Sequence, residues 1–490
     1  MTEVAEIVNV GFSLHQQGNL DDAENAYIEA LKLDDKNAEV YNLIGVLKLQ
    51  KGEVESAVEY VEKALQISPE AYFYETLFQA YIRSENYSKI IAKEAVVMKL
   101  FPENFSLIFN IALAYKNLKQ NKKAMLYYER ALKINPSSYQ AWFNLAHLYS
   151  IEGEYSNAVS AFKICTKLRK DDETEYFYSL ALMQTKDYKN GLKHFEKRIS
   201  KKTAIESQSK TYPGKIRNDN LWHGENIKDK TLLVYYEAGF GDVIMFSRYL
   251  PLAAKKCKKI ILMCQKPLTQ LFIENPQLGV SEIIDTFVPE KEVLFDYHIP
   301  LLSLPYALGL KEDDIFAYPD GYIRATQDKF EDAKKKYFEN DNLKIGIKWK
   351  GNTYFDTDRV IPAEMFLPLI QTENTKFYSL QTFEGAEDVN KLQGIIDIGK
   401  DLIDFSQTAA VIANMDLIIC NDTSLAHLAG AMGVPCWIIL PYEVNWRWHN
   451  NLAKCDWYNS VKLYRQKSQG DWQGVFDEVE KDFIQAITKV

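Results

Sequence analysis

The sequence predicts an α-helical repeat array followed by an α/β region, and three observations lead to that fold class. Alanines heading similar segments recur along the first two hundred positions at spacings of 34, 67 and 34 residues. Beyond residue 230, short runs of strand-forming residues alternate with glycine-containing loops and helical segments, a pattern typical of parallel sheets. A length of 490 residues also corresponds to about three domains.

The composition is that of a globular protein that needs no disulfides. Apolar residues account for 47% and charged residues for 26%, and 58 Lys and Arg against 67 Asp and Glu give a net charge of −9. This acidic balance argues against a nucleic-acid polymer or an anionic membrane as partner. The six cysteines form no Cys-x-x-Cys pair and no metal-ligand spacing, as expected of reduced thiols in the cytoplasm.

Neither a secretion signal nor a membrane span is predicted. The start, MTEVAEIVNVGF, lacks a basic stretch followed by an apolar one. No apolar run approaches the roughly 20 residues that a spanning helix requires. We therefore expect a cytoplasmic protein.

The repeats share small and aromatic residues at fixed positions. Their segments read AENAYIEAL, AVEYVEKAL, AMLYYERAL and AVSAFKICT, and they begin at Ala23, Ala57, Ala124 and Ala158. An aromatic residue or valine follows each alanine by four positions and a small residue by seven, which places all three on one helical face. Pro69 and Pro136 end two of these helices at the same phase.

This pattern resembles the tetratricopeptide repeat in its period, small residues, aromatics and terminal prolines. A degenerate unit near Ile90 fills the spacing of 67 residues, and a sixth unit covers Tyr176–Ile199. Small residues let paired helices cross closely and aromatics fill the gaps between neighbours, so we expect both to be structural. The stacked units are expected to offer a concave face to a peptide or partner protein.

A polar linker follows the array. Residues 200–220 are weakly periodic and contain Pro213-Gly214. We therefore predict the array over residues 1–200 and two α/β domains over residues 201–339 and 340–490. Strands are expected at 231–236 and 258–264 in the first domain, and at 343–349, 376–381, 415–420 and 436–440 in the second. Two such Rossmann-like units would enclose a cleft at the carboxyl ends of their strands.

The loop Gly239-Phe240-Gly241-Asp242 lies between the first predicted strand and a helix expected over residues 243–257. As a dinucleotide-binding fingerprint it is weak, because Ile244 stands where a third glycine or alanine is required. Its glycines would let a ligand approach the backbone closely. Asp242 is then either a carboxylate that caps the helix or a functional group.

A second loop, Asn421-Asp422-Thr423-Ser424, joins the strand 415–420 to a helix near Leu425–Met432. A helix N-terminus carries free N–H groups and a partial positive charge, which suits a diphosphate. His427 lies one turn into this helix. It either adds a donor to the phosphate or packs beneath the loop, and the spacing leaves both alternatives open.

A tryptophan-rich stretch follows, with Trp437, Trp446, Trp448 and Trp457 close together in sequence. In an extended Trp446-Arg447-Trp448 the two indoles would share one side, with Arg447 opposite. Aromatic faces bind sugars, and arginine binds phosphate or carboxylate. A buried aromatic core is the usual alternative, but the interleaved Asn, Arg, His and Glu favour a cleft wall.

Four stretches that occur in this order resemble a known family: GFGDVIMFSRYLP, KWKGNTYFDTDRVIP, NDTSLAHLAGAMGVPCWIILPYEVNWRWH and WYNSVKLYRQKSQGDWQGV. Together they look like bacterial proteins that join tetratricopeptide repeats to a GT-B glycosyltransferase module. The module is similar to the heptosyltransferase-like family 9, and its plan resembles that of the O-linked N-acetylglucosamine transferases. The resemblance spans nearly the whole chain and implies a GT-B fold of two Rossmann-like domains facing across a cleft.

On the acceptor side, the resemblance implies that Asp242 is a general base, which would take the proton of an attacking hydroxyl. Gly239 and Gly241 would bring the backbone of this loop close to the acceptor. Contacts with the sugar or the acceptor are expected from Trp446, Arg447 and Trp448.

On the donor side, the resemblance implies that Asp422 contacts donor hydroxyls. The diphosphate would be bound by Thr423, Ser424 and His427. The family generally shows glycine where this chain has Ser424, so the backbone approach at that point differs.

The remaining donor-side candidates flank another loop. Lys348 and Arg359 would neutralise charge that develops on the leaving diphosphate, and Gln381 at a strand end is a further contact. The family commonly has Asn-Asp-Arg where this chain has Thr357-Asp358-Arg359. Asp356-Thr357-Asp358 is formally a metal-binding Asp-x-Asp, but GT-B enzymes usually rely on helix dipoles and basic side chains, so no metal or other cofactor is expected.

The resemblance and the repeats predict a glycosyltransferase that moves a sugar from a nucleotide-sugar to an acceptor hydroxyl. Since tandem repeats bind peptides, the expected acceptor is a protein, such as flagellin or another surface protein. The alternatives are a lipopolysaccharide or capsule glycosyltransferase and a non-catalytic scaffold with a decayed transferase module. The final helix, over residues 471–490, is expected to cross back onto the first Rossmann-like unit.

Overall fold

The structure is a computed structural model that describes residues 3–200, 218–285, 293–338, 341–351, 358–449 and 454–488. The chain divides into two compact units, Met1–Lys170 and Asp171–Val490. The predicted linker lies mostly at 201–217, outside the described residues, and so does the predicted boundary at 339–340. The three predicted domain limits therefore stay predictions.

Twelve helices, connected by short turns, cover the described residues from Glu3 to Phe195. Their bounds are α1 (Glu3–Gln16), α2 (Leu20–Leu33), α3 (Ala38–Lys51), α4 (Val54–Ile67), α5 (Ala71–Arg83), α6 (Tyr87–Leu100), α7 (Phe105–Asn117), α8 (Asn121–Ile134), α9 (Tyr139–Ile151), α10 (Tyr155–Leu168), α11 (Asp172–Gln184) and α12 (Tyr188–Phe195). The two helices of each predicted unit pack against each other. The helical repeat array is thus confirmed, including its degenerate and sixth units.

The repeated small and aromatic residues form the interiors of the helix pairs, as predicted. The three face positions of each aligned segment are almost fully buried: Ala23, Tyr27, Ala30, Ala57, Val61, Ala64, Ala124, Tyr128, Ala131, Ala158, Phe162 and Cys165. Gly45 in α3 shows how close two helices come, because a Cβ there would lie 2.3 Å from Cγ2 of Val61 in α4. A larger residue at this position would force the pair apart.

The first α/β part contains a parallel sheet with the order β3-β2-β1-β4. Its strands are β1 (Ile227–Tyr235), β2 (Cys257–Met263), β3 (Glu282–Ile284) and β4 (Tyr297–Pro300), and its helices are α13 (Phe240–Phe246), α14 (Leu250–Ala254), α15 (Lys266–Ile273), α16 (Leu304–Ala307) and α17 (Gln327–Tyr337). The single helix predicted over 243–257 is wrong, since a 3₁₀ turn at Ser247–Tyr249 separates α13 from α14. Pro251 lies in the first turn of α14 and lacks the N–H that a continuous helix would bond to the carbonyl of Ser247.

The second α/β part contains a parallel sheet with the order β10-β9-β8-β5-β6-β7. Its strands are β5 (Leu343–Lys348), β6 (Thr375–Ser379), β7 (Ile396–Asp397), β8 (Leu417–Asn421), β9 (Cys436–Leu440) and β10 (Val461–Arg465), and its helices are α18 (Leu367–Ile370), α19 (Phe405–Ile412), α20 (Ser424–Met432) and α21 (Trp472–Ile487). The predicted strands of this domain are confirmed to within two residues at each end.

The strand orders define where ligands bind in each sheet. Successive strands proceed outward from β1 on one side and then return to β4 on the other, and the same reversal occurs between β5 and β8. In open parallel sheets, ligands bind outside the carboxyl ends of the strands at such a reversal. The loops after β1, β4, β5 and β8 are therefore the places where a site is expected.

The final helix does not take the predicted course. The buried face of α21, with Val475, Phe476, Val479 and Phe483, belongs to the apolar core of the six-stranded sheet. The ring of Phe476 lies 5.0 Å from that of Phe366, and Phe483 lies 5.8 Å from Phe377. The prediction that this helix crosses onto the first Rossmann-like unit is therefore wrong. Among the described residues, no helix is long and apolar enough to span a membrane.

Candidate functional site

The helices that follow β1 and β8 pack directly against each other. Gly241 in α13 makes this possible, because a Cβ there would lie 2.8 Å from Cδ2 of His427 and 3.4 Å from Cα of Ser424. The two loops singled out from the sequence, one from each sheet, therefore meet at the carboxyl ends of their strands. Gly239 precedes α13 as its N-cap residue and has no such close neighbour.

Asp242 lies in the first turn of α13 and forms an ion pair with Arg447. Arg447 belongs to the loop after β9, so the pair joins the two sheets. The Asp242 side chain is 24% exposed to solvent, and the Arg447 side chain is 12% exposed. Nη1 of Arg447 also donates to Oδ1 of Asn445 at 2.7 Å, which fixes the guanidinium from behind.

The segment Trp446-Arg447-Trp448 is a turn and not the extended strand that the indole alternation requires. The N–H of Trp448 donates to the carbonyl of Asn445 at 2.9 Å. Trp446 and Trp448 are both buried, and the Trp446 ring lies edge-on to Trp457 at 5.7 Å. The expectation that the two indoles line one wall of an open cleft is therefore wrong, because apolar burial took precedence over alternation. Arg447 is the member of this trio that brings a charged group to the meeting point of the loops.

The loop Asn421–Ser424 is held from the opposite side by Arg359. Nη1 of Arg359 donates to the carbonyl of Asp422 at 3.1 Å and lies 3.6 Å from its Oδ2. The Asn421 amide donates back to the carbonyl of Arg359 at 3.0 Å. Burial raises the pKa of the Asp422 carboxyl, while Arg359, Arg447 and the Trp448 indole oppose that rise.

Helix α20 begins at Ser424, with Thr423 as its N-cap residue. The Thr423 side chain makes no capping bond; its hydroxyl donates to the carbonyl of Asn421 at 3.4 Å. The partial positive charge of the helix N-terminus therefore remains beside Asp422 and Arg359. The predicted diphosphate contacts of Thr423 and Ser424 are placed suitably for an anion and stay predictions.

His427 is buried beneath this loop. Its ring stacks on Trp448 at 5.3 Å between centroids, and its Nδ1 lies 3.1 Å from the hydroxyl of Tyr458. Burial, reinforced by Arg447, Arg248 and Arg359, lowers the pKa of His427 well below its ordinary value. The imidazole is therefore neutral at pH 7 and can act on a phosphate as an N–H donor, not as a cation.

A buried arginine that the sequence analysis missed lies behind His427. Arg248 is fully buried and donates to the carbonyls of Met245 and Trp457, at 2.9 and 3.1 Å. Its guanidinium carbon lies 4.7 Å from the ring centroid of Tyr458, the residue whose hydroxyl contacts His427. An arginine inside the apolar stretch VIMFSRYLP was the signal that could have revealed it.

Lys348 is the last residue of β5, and Gln381 lies two residues after the end of the neighbouring strand β6. Burial lowers the pKa of the Lys348 ammonium to about 8, and its Nζ donates to Oγ1 of Thr382 at 3.4 Å. The Gln381 amide is used within the protein: Oε1 accepts from the N–H of Lys350 at 3.0 Å and Nε2 donates to the carbonyl of Glu384 at 2.6 Å. These bonds support a loop-positioning role for Gln381, and its contact with a donor stays a prediction.

The last helical pair supports the loop after β1 through a buried ion pair. Arg198, after α12, binds Glu237 through Nη2 at 2.7 Å and Nε at 3.1 Å, and its Nη2 also donates to Oγ of Ser303 at 2.7 Å. Glu237 and Ser303 follow β1 and β4, so one guanidinium bridges the reversal point of the first sheet. In α12, the Tyr188 hydroxyl lies 2.9 Å from Nε2 of His449, close to Arg447 in sequence. These contacts join segments that are distant in the sequence, and no local pattern predicts them.

The Asp-x-Asp motif is only partly covered by the structure, which describes Asp358. Among the described residues, no group of three or more His, Cys, Asp or Glu is arranged to hold a metal ion. Asp356 and Thr357 of the Asp-x-Asp lie outside the described residues. The absence of a metal or cofactor therefore stays a prediction.

Family comparisons identify both parts of the chain. Three tetratricopeptide-repeat models match residues 13–72, 107–138 and 127–159. The model of glycosyltransferase family 9 (heptosyltransferase) matches residues 386–439. This second match includes β8, the N-terminus of α20, Asp422 and His427. The chain is thus similar to tetratricopeptide-repeat proteins in its N-terminal part and to glycosyltransferase family 9 over residues 386–439, which confirms the resemblance seen in its sequence.

Individual relatives share one or both parts. The chain is 21% identical over 531 residues to Protein FlbA of Caulobacter vibrioides, covering 93% of this chain and 86% of that protein. It is 24% identical over 298 residues to the human Protein O-mannosyl-transferase TMTC3, covering 53% of this chain and 31% of that protein. A solved structure of Pseudomonas aeruginosa pilF, 19% identical, covers 43% of this chain and 92% of its own, with a TM-score of 0.35.

Proposed function

We propose that the protein is a glycosyltransferase that moves a sugar from a nucleotide-sugar donor to an acceptor hydroxyl, using a GT-B arrangement of its two sheets. The observation that carries this proposal is the meeting of Asp242 with Arg447, Asp422 and Arg359 at the carboxyl ends of both sheets. A candidate base and two cations are thereby assembled next to the helix N-terminus in the segment that matches family 9.

The donor diphosphate would bind between the loops after β5 and β8. Arg359, Arg447 and the Lys348 ammonium supply positive charge there, and the N-terminus of α20 adds its partial charge. Within the described residues, Oδ1 of Asn421 and Nε of Arg447 are buried without a hydrogen-bond partner. Such atoms are costly in a folded protein unless a ligand or water satisfies them, which supports a polar ligand at this place.

The acceptor hydroxyl would approach Asp242 and pass its proton to that carboxylate as it attacks the sugar carbon. The bond from the sugar to the diphosphate breaks in the same transfer, and the released nucleoside diphosphate stays paired with the arginines. Neutral His427 would donate an N–H to a phosphate oxygen. In this proposal no metal takes part, and the reaction occurs in the cytoplasm.

The proposed acceptor is a protein that the repeat array recruits. Stacked helical repeats offer an extended concave surface to peptides, and one relative is named as a protein O-mannosyl-transferase. A lipopolysaccharide or capsule acceptor is the competing possibility, and a non-catalytic scaffold is the other. The presence of Asp242, Arg359, Asp422, Thr423 and His427 argues against a decayed module.

The test is a donor panel. The purified protein is incubated with nucleotide-sugars that differ in base and sugar, and the release of nucleoside diphosphate is measured for the wild type and for His427→Ala. We expect the wild type to release nucleoside diphosphate slowly from one of these donors, by transfer of the sugar to water or to an acceptor. We expect His427→Ala to lose this activity. No binding of any donor by the folded protein would favour the scaffold. Transfer to a lipid-linked saccharide but to no protein would favour the lipopolysaccharide or capsule enzyme.

A further inference from the structure

Phe383 is an aromatic residue whose side chain is exposed to solvent. Its side chain is 89% exposed, more than any other large apolar side chain in the described ranges. Its backbone has φ 55°, in the left-handed region that bulky residues rarely adopt. Neither property helps folding, because exposure forfeits apolar burial and the backbone conformation is unfavourable. Such a combination is typical of a residue that serves a ligand.

The loop that carries Phe383 is rigidly supported from below. The Gln381 amide is buried and bonds the backbone of Lys350 twice, through Oε1 and Nε2, each at 3.0 Å. It also donates to the carbonyl of Glu384 at 2.6 Å, and Nε1 of Trp349 donates to the carbonyl of Gly385 at 3.2 Å. The backbone position of Phe383 is therefore set by three hydrogen bonds to the loop after β5 and by one bond within its own loop.

This loop lies at the edge of the proposed diphosphate site. Ile347 of β5 pairs with Ser379 of β6, and Lys348 pairs with Cys420 of β8, so the three strands end level with one another. A Cβ on Gly351 would lie 3.0 Å from Thr423, which shows that the loops after β5 and β8 touch. Neighbouring strands are about 4.8 Å apart, so the end of β6 is roughly 10 Å from the end of β8.

We propose that Phe383 is the stacking surface for the nucleobase of the sugar donor. This inference rests on the proposed function and adds the place of the base. A separation of roughly 10 Å suits a nucleotide whose diphosphate lies at the N-terminus of α20 and whose base reaches the loop after β6. Every nucleobase has a π-face, so stacking on one ring gives affinity without selecting among bases. The Lys348 ammonium, bonded to Thr382, lies between the two ends, where it would pair with the phosphate next to the ribose.

The experiment compares a ligand that has a base with one that lacks it. Binding of nucleoside diphosphates and of inorganic pyrophosphate is measured by calorimetry for the wild type and for Phe383→Gly, Phe383→Ala and Phe383→Trp. We expect the first two variants to bind nucleoside diphosphates about 5-fold to 100-fold more weakly, with unchanged pyrophosphate binding. Phe383→Trp should retain nucleotide affinity. Leu126→Ala, at an exposed apolar residue of the repeat array, is the matched control and should change neither ligand.

Phe383→Gly also separates binding from folding. Glycine adopts φ 55° without penalty, so this variant should melt at the same temperature as the wild type or higher while it loses nucleotide affinity. Unchanged nucleotide affinity in Phe383→Gly, or an equal loss of pyrophosphate affinity, would overturn this inference and leave the proposed function standing. So would a variant that binds nucleotides normally but no longer binds a protein acceptor. Failure of the wild type to bind any nucleoside diphosphate would overturn the proposed function together with the inference.

Discussion

Asp242 and Arg447 form an ion pair although 205 positions separate them in the sequence. One follows the first strand of the four-stranded sheet, and the other follows the fifth strand of the six-stranded sheet. The pair therefore makes the candidate base depend on the geometry of both sheets. It also places an arginine, a residue type that binds phosphate, directly beside the candidate base.

Replacement of the candidate base should stop transfer without preventing donor binding. We expect Asp242→Asn to lower the transfer rate by about 100-fold or more, because an amide cannot accept the hydroxyl proton. The rate is measured by sugar incorporation into the acceptor, and donor affinity by calorimetry. Asp328→Asn, at an exposed position in the first turn of α17, is the control. An Asp242→Asn protein that is folded and fully active would exclude this residue as the base.

The close approach of α13 and α20 predicts a difference between two neighbouring glycines. Gly241→Ala should lower the free energy of unfolding by about 1–3 kcal/mol, because its Cβ would overlap His427. Gly239→Ala should leave it nearly unchanged, since only Asp242 Oδ2 lies near, at 4.0 Å. Thermal unfolding of both variants provides the comparison. Equal stability of the two would show that the helices can separate at no cost.

The buried Lys348 predicts a pH limit for donor binding. Its pKa of about 8 lies below the ordinary value of 10.5, so the ammonium is charged at pH 7 and loses its charge as the pH rises through 8. Donor affinity should therefore fall by about 10-fold between pH 7 and pH 9.5. In Lys348→Met the affinity should be lower at pH 7 and should no longer show this decline. Calorimetric titrations across this range are the measurement, and an identical decline in Lys348→Met would exclude Lys348 as its cause.

The same shift has a consequence for stability. Between pH 8 and 10.5 the unfolded lysine holds its proton while the folded one does not, so stability at this site should rise with pH. Denaturant unfolding of the wild type should show this rise more strongly than that of Lys348→Met.

The ion pair between Arg198 and Glu237 predicts a large loss of stability when one partner is removed. Arg198→Met should lower the free energy of unfolding by about 3–5 kcal/mol, because Glu237 and Glu196 would stay buried without their cation. Arg198→Lys should lose less, since it keeps the charge but not the bidentate geometry. Denaturant unfolding measures both. A Met variant as stable as the wild type would show that water replaces the arginine.

The repeat array could be predicted closely from sequence because its signal is local. The spacing of Ala57, Val61 and Ala64 alone indicates one helical face, and the same spacing recurs in three other segments, which begin at Ala23, Ala124 and Ala158. Four strands of the second sheet, β5, β6, β8 and β9, could also be predicted, since each coincides with a short apolar run; β7 and β10 were not predicted.

The parts that sequence did not predict depend on contacts between distant segments. Nothing near Arg447 indicates that its partner is Asp242, and nothing near Arg198 indicates Glu237. The Trp446–Trp448 turn illustrates the same limit. The alternation argument assumed an extended segment, whereas the structure has a turn in which both indoles are buried. Phe383 is distinctive only because of its exposure and backbone angle, and neither property can be read from residue types.

The bonds between the last helical pair, α11 and α12, and the α/β part decide where the chain can be divided. Arg198 and Tyr188 bond to Glu237 and His449, so this pair should stay with the α/β part in any exchange of repeats. A junction at residue 170 would let foreign repeats be grafted upstream while those bonds are kept. A junction at residue 200, where the composition changes, would remove the bonds of Arg198 and Tyr188. The loop that carries Asp242 would then lose the support of Arg198.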